Sequence, residues 1–402
     1  MSETNERLRD VAVVGRGIQP MHVRQTNQRA ILSVISLQPG VSNAELARIT
    51  DLAPQTVSSV LVDLENHHLV TRGEVLRGKR GQPATPVFMN PMGAFCIGAE
   101  IGWRHIEVCL VGIGTQVIAS RRRDYDYPDA TAIFAELAGI VKELCSTLSP
   151  AERKRVTGLG LAAPSSICNS AENRFWPKDQ RLLWEATDVA AACAQATGLK
   201  VSSFNDGHAA CWAQRVAHPA PRPLSFVFVM LDTCVAAGIV AENRLWEGVH
   251  GASGNLGAML ITDRDGHTRF VHEVASLHAL ETRLHAVSLD LTSVSGTEVN
   301  PKAAPILDDW IADASDVIAQ AFINTTRVME FESAVIESAL PPAITQRIVD
   351  ETRRHIERFP KVGAGHLPVI AGHIGKSGAA QGAALLRMHR QFFSRELAHM
   401  SA

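Results

Sequence analysis

The sequence predicts an α/β protein in two parts: a small helical unit with a two-strand hairpin, then a larger unit of strands and helices. Three observations predict it. Ser42-Asn43-Ala44-Glu45 matches a capping box, and Pro54 suits the first position of a further helix, so short capped helices stand near the front. Phe95 to Gly102 reads as a strand closing on glycine and heads a meander, and the apolar strand Leu224 to Leu231 starts a second block of the same kind. Finally, 402 residues at about 150 per domain leave room for two to three domains.

In the first part, Asn27 to Leu37 carries Ile31, Leu32, Val34 and Ile35 as a helical stripe, with Asn27 as the expected N-cap. Pro39-Gly40 stops it. Leu46 and Ile49 follow the capping box, and Asp51-Leu52-Ala53 makes a turn. The next helix buries Val57, Val60, Leu61 and Leu64 and offers Gln55, Thr56, Ser58 and Ser59 on its early polar face. Leu69 to Met89 then reads as a hairpin with the tip Arg77-Gly78-Lys79-Arg80-Gly81. Helices and hairpin in this order form a winged helix–turn–helix, whose second helix enters the DNA major groove. From Leu69 to Gln82 four basic residues (Arg72, Arg77, Lys79, Arg80) face one acid, Glu74. That local excess suits phosphate contact. A three-helix packing domain with a solvated loop is the plainer alternative.

Composition narrows the rest. With 46% hydrophobic, 20% charged and 5% aromatic residues, a disulfide-stapled mini-protein, a collagen-like fibre and a disordered chain are excluded. A net charge of -2 excludes a uniformly basic nucleic-acid coat but not a basic patch. None of the seven cysteines forms a C-x-x-C pair, which fits free thiols in a reducing compartment. No run approaches the roughly 18 apolar residues of a membrane span, and Met1 to Arg9 is polar. A cytoplasmic protein without membrane contact is expected.

The second part continues the meander with Ile106 to Leu110 and Gln116 to Ser120. Then come a helix near Ala130 to Leu148, a strand Gly158 to Ala163 closed by Pro164, a helix Asp188 to Thr197, and a strand Lys200 to Phe204 ending on Asn205-Asp206. Thr233 to Gly257 is glycine-rich, and helix dominates after it. Val11 to Gly17 imitates a dinucleotide-binding strand but lacks the third glycine. Gly375-Lys376-Ser377 imitates a P-loop end but reads as a helix start, and Arg121-Arg122-Arg123 reads as a solvated strand end.

Val41 to Pro83, the strand–glycine start at Phe95, the Asn205-Asp206 pair, Gly254-Asn255-Leu256-Gly257 and Gly378-Ala379-Ala380-Gln381-Gly382-Ala383 occur in the order of one family. The chain resembles the ROK family (repressor, open reading frame, kinase) in its repressor-type form, over roughly residues 24 to 392. The resemblance implies a winged helix–turn–helix followed by a two-lobed, actin-like (ribonuclease H-like) ATPase-type domain. The expected division is 1–20 as a flexible tail, 21–90 as the DNA-binding domain, 91–222 as the first lobe with the returning helix 378–400, and 223–377 as the second lobe.

Kinase members of the family need glycines that bring backbone amides to phosphate, and a carboxylate as base. Here the first phosphate loop reads Glu100-Ile101-Gly102-Trp103, with a large ring where a small residue belongs. The second reads Asp232-Thr233-Cys234-Val235-Ala236-Ala237-Gly238, with an acid toward the phosphate and glycines missing. Glu337-Ser338 replaces the adenosine-side glycine pair. Three departures in one nucleotide site argue against catalysis and against any cofactor. The family's zinc motif is altered too: Asn255 and Ala258 stand for its Glu and His, the cysteine cluster is absent, and His267, His272 and His278 lack a thiolate partner, so no metal is expected.

By the same resemblance Asn205, Asp206, Asn255 and Glu273 form an effector site for a sugar or sugar derivative. The structural alternative for Asn205-Asp206 is a strand-end Asx turn. The partners expected are a palindromic double-stranded DNA operator, a small polar effector, and further copies of the chain in a homodimer or homotetramer. Two rival readings stay open: a sugar kinase with an accessory DNA-binding domain, and a DNA-binding scaffold with a dead pocket.

Overall fold

The computed structural model describes residues 20–74, 85–165, 176–296, 298–359 and 367–393. Residues 1–19, the wing-tip residues Arg77, Lys79 and Arg80, Cys168, and the Val11 to Gly17 run lie outside the described residues. The chain divides into two compact units, residues 1–93 with 389–402, and residues 94–388.

The first unit holds α1 (Pro20–Leu37), α2 (Asn43–Thr50), α3 (Pro54–Asn66), β1 (Val70–Arg72) and β2 (Val87–Met89). The capping box at α2 is formed: the Ser42 N–H donates to Glu45 Oε2 at 2.9 Å, and the Glu45 N–H donates to Ser42 Oγ at 3.3 Å. Pro54 opens α3, where its missing N–H costs nothing. Strands β1 and β2 pair antiparallel, Val70 opposite Met89. The core is Ile31, Leu32, Ile35, Leu46, Val57, Leu61 and Val87, each essentially inaccessible to solvent. One boundary is corrected. Asn27 does not cap α1, which begins at Pro20. Residues 23–26 are exposed, so the apolar stripe marks only the half of the helix that packs.

The second unit contains two sheets of like order. The first is β3 (Phe95–Ile101), β4 (His105–Gly112), β5 (Val117–Asp124), β6 (Val156–Ala163) and β7 (Val201–Asn205), arranged β5-β4-β3-β6-β7. Around it lie α4 (Ile133–Ser146), α5 (Pro150–Arg153), α6 (Lys178–Glu185), α7 (Val189–Thr197) and α8 (Asp206–Ala217). The second sheet is built from β8 (Phe226–Leu231), β9 (Val235–Ala241) and β10 (Arg244–Leu245), and after the hairpin β11 (Leu260–Thr262) and β12 (Thr268–Phe270) come its helices α9 (Val271–Ala275), α10 (Leu277–His285), α11 (Thr292–Ser295) and α12 (Ala304–Thr326). It is completed by β13 (Ser333–Ser338) and β14 (Val369–Ala371), with α13 (Pro342–Arg358) between them, in the order β10-β9-β8-β13-β14. In both sheets the first three strands are antiparallel and the last two join parallel. This is the duplicated two-lobe architecture that the resemblance implies.

The closing helix α14 (Gly378–Phe392) starts at Gly378, after the Gly375-Lys376-Ser377 run. It crosses α8 at backbone distance: a Cβ added to Gly382 would lie 1.8 Å from the Ala209 carbonyl oxygen. Gly207 in turn lets α8 lie on β9, where a Cβ would stand 2.3 Å from the Ala237 oxygen. The glycine-rich stretch 233–257 holds β9 and β10, which its composition did not reveal. Gly238 interrupts the apolar alternation where α8 lies against the strand, and a Cβ there would come within 2.6 Å of Cys211 Cβ. The lobe built on the second sheet is held by apolar packing around Trp310, Phe322, Ile318 and Ile348.

Candidate nucleic-acid interface and effector cavity

In the first unit, α3 exposes Gln55 and Ser59 and half-exposes Thr56 and Ser58. Ser58 is already committed: its hydroxyl donates to the Pro54 carbonyl at 2.9 Å and accepts from Asn43 Nδ2 at 2.8 Å. It ties α2 to α3 and has little capacity left for a base edge. Arg72, expected on a phosphate, is paired with Glu65. Arg121, Arg122 and Arg123 lie on β5 and pair with Glu143, with Glu107 and Asp124, and with Glu136 respectively.

In the second unit the strand ends converge on a cavity of about 240 Å³. Ser165, Asn205, Asp206, Ser253, Asn255 and His272 give it a polar side, and Trp103, Pro164, Val235, Ala236, Ala237, Ala252 and Ala258 an apolar one. Asn205 ends β7 and caps α8, its Oδ1 accepting from the His208 N–H at 3.1 Å. Its Nδ2 donates to Ser165 Oγ at 2.9 Å and to Asp206 Oδ1 at 3.0 Å. The cap and the cavity wall are therefore the same residue, which the Asx-turn alternative captured only in part. Asp206 Oδ1 also accepts from the Gly207 N–H at 2.8 Å. Burial pushes the Asp206 carboxyl up to about 7, with the charges of Glu100 and Asp232 adding to the rise and the Gly207 N–H opposing it.

Glu273 is placed differently from expectation. It is not among the cavity-lining residues, and its Oε2 accepts from the Phe270 N–H at 2.9 Å at the start of α9. Three residues into a helix, a glutamate that reaches back to the preceding N–H satisfies an otherwise orphaned donor. The neighbouring His272 lines the cavity instead, its Nδ1 2.9 Å from the Gly257 carbonyl. Adjacent helical residues point about 100° apart, so the same wall can take His272 while Glu273 turns to the helix start.

Trp103, on the turn between β3 and β4, lines this cavity and a smaller one of about 20 Å³ beside it, together with Glu100, His105, Asp206 and Asp232. Its ring stands 5.5 Å from that of Trp176, which in turn lies 6.4 Å from Trp184. Asp232 Oδ1 accepts from the Thr233 N–H at 2.7 Å, so a carboxylate holds an amide of the second phosphate-type loop. His105 Nε2 lies 3.3 Å from Glu100 Oε2. Burial by itself lowers the His105 pKa, but the charge and hydrogen bond of Glu100, together with the Asp232 charge, outweigh it and the net direction is upward.

The three histidines considered for metal have separate partners. His267 lies 3.6 Å from Asp263, His278 lies 3.8 Å from Glu281, and His272 faces Gly257. Among the described residues, Asp263, Asp265 and His267 in the β11–β12 turn have metal-like spacing, but Asp263 also holds Arg269 at 3.0 Å and the backbone N–H groups of Asp265 and His267. Among the described residues no helix is long and apolar enough to cross a membrane.

The model of the ROK family matches residues 96–390. The chain belongs to the ROK family. Residues 24–71 ahead of this ROK domain match the family described as winged helix-turn-helix DNA-binding. A xylose repressor of Bacillus spizizenii is 23% identical over 277 residues, covering 66% of this chain and 71% of the repressor. A crystal structure described as a ROK family transcriptional regulator, homologous to the E. coli MLC protein, superposes with a TM-score of 0.68 at 21% identity, over 92% of this chain and 97% of the other. A ROK family glucokinase from Streptomyces griseus, solved with glucose and AMPPNP, superposes with a TM-score of 0.58 at 17% identity, over 73% of this chain and 99% of the kinase. These structures share the fold, and the first shares it across both parts of this ROK protein.

Proposed function

We propose that the chain is a DNA-binding transcriptional repressor of the cytoplasm whose ROK domain binds a small polar, sugar-like effector without phosphorylating it and mediates assembly into a dimer or tetramer. The observation that carries this reading is a winged helix–turn–helix unit in front of a ROK domain whose phosphate-type loops are filled by its own side chains, Trp103 on one and Asp232 on the other. Gln55, Thr56 and Ser59 read bases from α3, and the basic wing of Arg77, Lys79 and Arg80 contacts phosphate. The xylose repressor relative supports the regulatory class. The effector occupies the 240 Å³ cavity with Asn205, Asp206, Asn255 and His272 toward its polar groups and Ala258 leaving room for a substituent. Binding acts by differential affinity for two states of the protein that hold the operator with different strength. Titrating the purified protein against its own genomic footprint and against random duplexes tests the proposal. Equal affinity for both would sink it.

A second reading, a sugar kinase with an accessory DNA-binding domain, is favoured by one observation: Asp206 is retained in the cavity with its carboxyl raised to about 7, a value suited to a general base. Assaying ATP-dependent phosphorylation across a sugar panel separates the two. The regulator reading expects no turnover.

A further inference from the structure

Glu337 is the penultimate residue of β13 and is buried inside the second lobe. Both oxygens are used. Oε1 accepts from the Ser338 N–H at 3.0 Å, while Oε2 accepts from the N–H groups of Ile374 and Gly375 at 2.9 and 3.0 Å. The last two donors belong to the loop between β14 and α14, and Gly375 sits there at φ +60°. Successive backbone N–H groups turned to one point form a concavity for an anion, and an anion in such a nest lies next to fixed positive dipole ends. The fit leaves no slack: a Cβ on Gly372 would lie 2.7 Å from Glu337 Oε2.

We propose that Glu337 is a built-in anion, a side-chain carboxylate that permanently occupies the amide nest of Ile374 and Gly375 and excludes external anions such as phosphate. The loop is thereby fixed without any ligand. It is also gripped from its other side, where the His373 N–H donates to Gln214 Oε1 at 2.9 Å. Gln214 belongs to α8, the helix whose N-terminus carries Asn205 and Asp206. Glu337 is therefore a positioning residue: it ties β13 to the loop before α14, and the loop ties to the helix that bears the cavity residues. This inference rests on hydrogen bonds within the second unit and is independent of whether the chain represses transcription.

The test is chemical rescue. In Glu337→Ala the nest is emptied, and the melting temperature is expected to fall by about 5 °C. Formate or inorganic phosphate, added at ionic strength matched with chloride, should restore most of that fall while leaving the wild type unmoved. A variant as stable as the wild type, a fall that these anions do not reverse, or an equal gain by the wild type overturns the proposal. Should the alanine variant fail to fold, Glu337→Gln keeps the volume and removes the charge. Amide hydrogen exchange at Ile374 and Gly375 should then quicken about tenfold, and unchanged exchange at both amides overturns the proposal equally.

Discussion

Asn43 Nδ2 donates to Ser58 Oγ at 2.8 Å, so the first residue of α2 holds a residue on the polar face of α3. A short hydroxyl expected at the DNA surface is thus part of the scaffold that sets the angle between the two helices. Ser58→Ala should lower the stability of the first unit by about 1 kcal/mol, the usual net value of one hydrogen bond. It should weaken binding to specific and random duplexes alike. Urea unfolding and fluorescence anisotropy on the two duplexes check both effects.

Thr56 and Arg80 should separate from Ser58 in the same assay. Thr56→Ala is expected to relax base preference at one position by about 1–3 kcal/mol, the range for a base-edge contact. Arg80→Ala should weaken all sequences uniformly and reduce the slope of log affinity against log salt by about 1. A sequence-selective loss from Arg80→Ala would remove the wing from the phosphate backbone.

The raised Asp206 carboxyl sets a pH dependence of stability. The unfolded chain loses this proton near the ordinary 3.8 and the folded chain near 7, so folding takes up a proton between those values. Stability therefore falls as pH rises from about 4 to about 7, by up to about 1.4 kcal/mol per pH unit, and levels off above. His105, also raised, gives the same sign: its contribution is present below its ordinary 6.5 and is lost as pH passes its folded value. In Asp206→Asn the lower part of the slope should vanish, which urea melts at half-unit pH steps would reveal.

Gly382 has no room for a methyl group. Alanine gains roughly 1 kcal/mol in helix propensity over glycine, but here its Cβ would meet the Ala209 carbonyl at 1.8 Å, and a backbone cannot rotate away. Gly382→Ala should lose about 2 kcal/mol net through overpacking. A thermal melt showing stabilisation would mean that α14 and α8 separate easily.

Arg104 bridges the lobes, its Nη1 donating to Glu281 Oε1 and Oε2 at 2.7 and 2.8 Å. The arginine is 43% exposed, so water and salt screen much of the attraction. Arg104→Ala should cost under about 1 kcal/mol at low salt and nothing measurable at 1 M salt, where the screening length is about 3 Å.

Local signals were legible where they are self-contained. The Ser42–Glu45 box and Pro54 at the head of α3 need only neighbouring residues to form, and the strands around Phe95 and Phe226 show as local apolar runs. β9 was not legible, because Gly238 answers to α8 lying on it rather than to strand periodicity. That Glu273 caps the start of α9 while His272 lines the cavity was not legible, because a motif gives order along the chain but not the rotation of α9 about its axis.

The sequence by itself determined the family order, the capping box of α2, the proline start of α3 and the positions where the phosphate-type loops depart from the family pattern, since each is a matter of which side chain stands at which position. Only the tertiary structure decided which remote donors the Glu337 carboxylate meets. Glu337 Oε2 reaches across 37 and 38 positions in the chain to the amides of Ile374 and Gly375. A buried carboxylate must find donors: Oε1 takes the adjacent Ser338 N–H, but the donors for Oε2 are set by the packing of β13 against the loop before α14.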